Sequence, residues 1–188
     1  MVVRLLFVVL LAAGAFFLGQ RAASPQPDPV NVLLQVRDLN QLATARHTLQ
    51  RVVTLTEQKE PVGAESILLI LQADVEAGVD LSRITSTDIT ASPGRVEIRL
   101  PKPEIRMVAV NEKETRVWDR QKTWWTPWVP YSNDLETKAR QAGLDAARQA
   151  AIDAGILQQA EKNAAASLRG LLQMSGIKEV VIIPSKAS

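Results

Sequence analysis

Residues Ile67 to Leu81 constrain this chain more than any other stretch. Their odd positions are Ile67, Leu69, Leu71, Ala73, Val75, Ala77, Val79 and Leu81, apolar without interruption. Their even positions start apolar at Leu68 and Ile70 and then turn polar at Gln72, Asp74, Glu76 and Asp80. Successive side chains of a strand leave opposite faces of the pleat, so a period of two predicts one long strand. It is expected to be central in its sheet at the start and half-solvated at the end. The rest of the chain must pair with it or cover its apolar side.

The flanking segments supply both. Val32, Val36, Leu39 and Ala43 recur at helical spacing, and from Thr44 the period changes to two. Ala45, His47, Leu49, Val53 and Leu55 then share one face of a threonine-rich strand. After the long strand, Ser92-Pro93-Gly94 marks a tight turn before the strict alternation of Arg95 to Leu100, which predicts a hairpin. Pro101 and Pro103 flank Lys102 and stop the strand or place it at an edge. Ile105 to Val110 reads as a further strand, with a polar turn at Asn111 to Glu114 and a return through Thr115 to Trp118. From Asn133 the pattern is helical. One stripe runs Leu135, Ala139, Ala142, Ala146, Ala150, and a second runs Leu157, Ala160, Ala164, Leu168, Leu171, Leu172. Gly155 separates the two helices, Gly176 ends the second, and Val180 to Ile183 is a last apolar strand. The expected fold is α+β: a mostly antiparallel sheet covered on one face by two C-terminal helices, plus an N-terminal transmembrane helix.

The N-terminus suggests an address. Leu5 to Leu18 is apolar or small throughout, between Arg4 and Arg21. A bilayer needs roughly 20 apolar residues, which this run approaches if Arg4 snorkels and Met1 to Val3 are included. The rival is a cleaved signal peptide, but small residues are poorly placed for a cleavage site just past the run. An uncleaved anchor is the expectation. Arg4 and the amino terminus favour a cytoplasmic start and Arg21 the reverse, so a single-pass cell-membrane protein with an extracytoplasmic C-terminal domain is the preferred orientation. Pro25, Pro27 and Pro29 then form a stiff tether. The organisation is an anchor over residues 1–19, a linker over 20–29, one domain over 30–184 and a tail over 185–188.

Composition excludes more than it identifies. With 46% hydrophobic residues the chain can bury a core, and a formal charge of +2 argues against a nucleic-acid partner. There is no cysteine, so thiolate catalysis, disulfides and Cys-ligated metals are out. The one histidine, His47, falls on the apolar face of its strand, where a hydrogen-bonded core histidine is the simpler reading. No catalytic constellation and no cofactor motif is present.

Three motifs resemble a known family. Ala77-Gly78-Val79-Asp80-Leu81, Leu100-Pro101-Lys102-Pro103-Glu104-Ile105, and the Ala/Leu helix from Ala160 that ends Gly-Ile-Lys-Glu-Val together resemble domain of unknown function 4230. Leu42-Ala43-Thr44-Ala45 resembles its entry from helix to strand. The resemblance implies a membrane-tethered bacterial domain of uncharacterised role and brings no catalytic residues with it. Lys122 to Tyr131 departs from the family pattern.

Two candidate sites stand out. Trp124, Trp125, Trp128 and Tyr131 lie within eight positions, interleaved with Pro127 and Pro130. Aromatics dominate interface hot spots and also partition into headgroup layers, although the same residues serve equally as a core lid. Asp74, Glu76 and Asp80 fall on one strand face by period two and are the candidates for Ca²⁺ or Mg²⁺; the plainer reading pairs them with Arg95 or Arg99. The leading expectation is a non-enzymatic binding or scaffold domain at the membrane, with a protein partner or self-association. The alternative is a carboxylate-dependent metal-binding or hydrolase domain.

Overall fold

The computed structural model describes residues 28–38, 44–59, 63–123 and 130–185. The segment read as an anchor lies outside them, as do Trp124, Trp125 and Trp128. Among the described residues no helix is long and apolar enough to cross a membrane.

A helix α1 (Pro29–Asp38) precedes two 15-residue strands, β1 (Thr44–Gln58) and β2 (Ala64–Gly78). The long strand therefore begins and ends three residues earlier than the alternation suggests. Val79 and Leu81 keep the apolar parity but have left the sheet: Asp80 caps a 3₁₀ turn, Leu81–Arg83. β1 and β2 pair antiparallel along their whole length, from Thr44 opposite Gly78 to Gln58 opposite Ala64. The buried row of β2 holds Ile67, Leu69, Leu71, Ala73, Val75 and Ala77, each with no accessible surface. The predicted face was right.

The second edge of β2 corrects the expected return strand. β5 (Glu104–Val110) pairs with Ala73–Gly78, and β6 (Arg116–Lys122) pairs with Glu65–Ile70, both antiparallel. The two do not form a hairpin. They lie end to end on one edge, with residues 111–115 looping out opposite Gln72, whose carbonyl accepts from the Asn111 N–H at 2.8 Å and whose N–H donates to Thr115 Oγ1 at 3.2 Å. A polar turn between two short strands is read as a reversal by default; here Gln72 holds its ends in line.

A second sheet also departs from expectation. The predicted hairpin exists as β3 (Ile89–Ser92) and β4 (Arg95–Arg99), but it is not part of the long sheet. The last strand, β7 (Glu179–Ile183), pairs with β4 in parallel. The described strands thus form two sheets with two cores.

Helices α2 (Leu135–Asp153) and α3 (Ile156–Met174) cover the long sheet. The buried stripe of α2 is Leu135, Ala139, Gly143, Ala147 and Ala151, spaced by four, whereas Ala142 and Ala146 of the expected stripe are exposed. The small residues matter. A Cβ on Gly143 would stand 2.9 Å from Leu71 Cδ1 and 3.2 Å from Val53 Cγ2, so glycine lets the helix settle closely onto these two side chains of the sheet. Gly155, at φ +82°, turns the chain between the helices, a backbone conformation that side chains resist. α3 then serves both cores: Ile156 and Ala160 pack on the long sheet, while Ala164, Leu168 and Leu172 pack with Val96, Ile98 and Leu100 of the small one. Val32 and Val36 of α1 close the second core, and Arg37 donates to the Ile84 carbonyl at 3.0 Å.

Candidate binding site

The chemistry on the surface gathers at the end of the long sheet where β2 begins. Its foundation is Glu65, the first member of the inward row of β2, which has no accessible surface. A buried carboxylate is tolerated only when its lone pairs are filled. Arg120 Nε donates to Oε1 at 2.8 Å, the Ser132 N–H donates to Oε2 at 2.8 Å, and Lys59 Nζ lies 3.2 Å from Oε2. Burial by itself would raise the carboxyl pKa, but the Ser132 amide, Arg120 and Lys59 outweigh it and hold the group below the usual glutamate value. Arg120 also donates to the Ser132 carbonyl at 2.5 Å. One carboxylate thus joins β2, β6 and the lead-in to α2.

That arrangement fixes an aromatic on the surface. Tyr131 is half exposed, with the Arg120 guanidinium 4.8 Å and the Lys122 ammonium 4.7 Å from its ring centroid. Cations over an aromatic face attract its quadrupole and hold the ring in place. On the same strand, the register slips between Leu68 and Leu69, and Trp118 stands 63% exposed with Arg116 stacked 5.4 Å from its ring. Strand β6 therefore places three cations over two rings, its own Trp118 and Tyr131 from the lead-in to α2. Of the four residues predicted as a binding surface, Tyr131 is at such a place; Trp124, Trp125 and Trp128 lie outside the described residues. Trp118, Arg116, Arg120 and Glu65 were not singled out by the sequence. A bulge re-aims Trp118, and no periodicity announces a bulge.

The acidic row does not converge. Asp74 and Glu76 do share the outer face of β2, but Asp80 sits beyond the strand end. Thr48 Oγ1 donates to Asp74 at 2.6 Å, and Arg46 forks onto Glu76 from the directly opposite positions of β1. Asp80 accepts from the Ser82 hydroxyl at 2.5 Å and pairs with Arg83 at 3.2 Å. The Ser82 hydroxyl and amide and Arg83 outweigh burial and keep its carboxyl below the usual aspartate range. The partners are thus Arg46, Thr48 and Arg83, not Arg95 or Arg99. Among the described residues no three acids or histidines are grouped to hold a metal ion. His47 is half buried on the inner face of β1, opposite Val75.

A shallow cavity of about 260 Å³ lies between α3 and β7, lined by Leu100, Glu161, Lys162, Ala165, Ile182 and Pro184. Its carboxylate is occupied: Glu161 accepts from the N–H and hydroxyl of Ser185 at 2.9 and 3.1 Å.

Compared with known proteins, residues 34–182 match a family model described as "Protein of unknown function (DUF4230)". No curated protein and no solved structure matches the chain.

Proposed function

Because the chain belongs to the DUF4230 family of proteins of unknown function, we propose its role from its own residues: a non-enzymatic binding or scaffold domain, tethered to the cell membrane through residues 1–19 and facing the extracytoplasmic side. The observation that carries the binding role is Tyr131, an exposed ring braced by Arg120 and Lys122 over a buried Glu65. A ring already fixed loses little conformational freedom when a partner covers it, which is the property of an interface anchor. The partner is a protein whose contact surface offers apolar area with acidic groups around it, to meet the ring and its two cations. The apolar run Leu5 to Leu18 and the proline linker support the membrane address.

A photo-crosslinking amino acid at position 131 of the full-length chain, activated in intact cells, tests the reading. A discrete heavier adduct at 131, absent when the same group replaces exposed Lys113, is the expected result. Recovery of the uncoupled chain alone from both positions defeats the binding proposal. Release of the full chain by alkaline extraction of membranes defeats the anchor.

A further inference from the structure

We propose that β1 is a pairing edge for a second copy of this chain, joined antiparallel about a two-fold axis through Thr54. β1 follows β2 for 15 residues without a register shift, while the opposite edge of the sheet is broken by two shifts and a loop. Among the described residues β1 pairs with β2 alone, so its other row of backbone N–H and C=O groups has no strand beside it. Exposed edges are normally blunted by lysine, proline, bulges or inward-pointing charges; residues 44–58 contain no lysine, proline or bulge, and the two inward charges they do carry, Arg51 and Glu57, are of opposite sign. The inner row of β1 is also unfinished. Leu49, Val53 and Leu55 are half buried where their β2 neighbours are fully buried.

The register comes from two charged groups in that row. Arg51 Nε is enclosed and has no hydrogen-bond partner. Glu57 Oε2 is likewise enclosed without a hydrogen bond; Lys138 occupies Oε1 at 2.7 Å and Lys59 Nζ stands 3.7 Å from Oε2. Residues 51 and 57 lie on one face and equally far from 54. Antiparallel pairing about Thr54 therefore sets Arg51 of each copy opposite Glu57 of the other, and Val53 opposite Leu55, each twice. A closed two-fold dimer repeats every contact in this way. Pairing about Arg51 would overlap the whole strand, but it sets two guanidinium groups directly opposite each other. The charge pattern rejects the longer overlap and favours the shorter.

The proposal deepens the scaffold reading and rests on it only for its purpose. Its test is separate from that of Tyr131, since the two surfaces lie on different edges of the sheet. The chain contains no cysteine, so a single cysteine reports its own symmetry mate. Thr54 is exposed, and Thr54→Cys in the full-length chain is expected to melt like the parent when reduced and to cross-link to a dimer on mild oxidation. Thr48→Cys is expected to give no cross-link, because its mate lies about twelve residues along, roughly 40 Å away at strand spacing. Arg51→Glu in the Thr54→Cys background reverses both ion pairs and is expected to lower cross-linking about tenfold. Three results overturn the proposal: cross-linking at Thr54 no greater than at Thr48, a maximum at Gln50→Cys or Val52→Cys instead, or cross-linking that rises in Arg51→Thr. The last would make Arg51 a guard that keeps this edge apart.

Discussion

Replacing Glu65 by glutamine removes a charge while keeping a side chain of nearly the same shape, and it isolates what holds the end of the long sheet together. In the native protein that carboxylate receives Arg120 Nε at 2.8 Å and Nη2 at 2.7 Å, the Ser132 amide at 2.8 Å and the Lys59 ammonium at 3.2 Å. A hydrogen bond to a charged group contributes about 1.5–3 kcal/mol, and breaking a fully buried pair costs about 3–5 kcal/mol. Arg120 is 28% exposed and Lys59 17%. Both cations can therefore recover part of their hydration, and glutamine still accepts from Ser132. The expected cost is about 2 kcal/mol at neutral pH, below the buried-pair range. For a domain of this size that lowers the melting midpoint by roughly 4–8 °C.

The sign of its pH dependence is fixed. The folded carboxyl titrates below its unfolded value, so the stabilisation is present above the unfolded pKa of about 4.3 and is lost as pH falls through the lower folded value. The gap between wild type and Glu65→Gln should be full at pH 7 and close on acidification below about 4. Thermal melts by circular dichroism across that range provide the assay, and hydrogen exchange at the Ser132 amide gives a local readout. A variant as stable as wild type at pH 7, or a gap that does not change with pH, refutes the idea that this carboxylate holds the end of the long sheet together.

Three further outcomes are expected. Gly143→Leu should destabilise by about 1–3 kcal/mol through overpacking against Leu71 and Val53, whereas Gly170→Ala should stabilise by roughly 0.5–1 kcal/mol, because its Cβ meets nothing within 4 Å and helix propensity improves; chemical denaturation measures both, and equal effects refute the close helix–sheet approach. Since Thr48, Arg46 and Arg83 already engage Asp74, Glu76 and Asp80, millimolar Ca²⁺, Mg²⁺ or Mn²⁺ should move the melting midpoint by less than about 1 °C, and a larger rise would revive the carboxylate alternative.

The inward face of β2, the β3–β4 hairpin, the two helices and their glycine break were all legible in the residues. Each of these is a local pattern, set by the pleat or by the helical repeat and ended by proline or glycine. Partnership was not legible. Nothing in the alternation of residues 104–122 says that β5 and β6 lie end to end along β2, or that β7 pairs in parallel with β4. Nor does periodicity choose between the Ala142 and Gly143 stripes of α2, since both recur at helical spacing; only the bulk of Leu71 and Val53 opposite selects the glycine. The candidate site divides the same way. Tyr131 is conspicuous in the sequence, but Glu65 reads as an ordinary polar residue before an apolar run. Arg120, Lys59 and Ser132 come from three separate parts of the chain, and only their convergence makes its burial tolerable. Alternation determines which side chains face inward, while tertiary packing alone decides what meets them there.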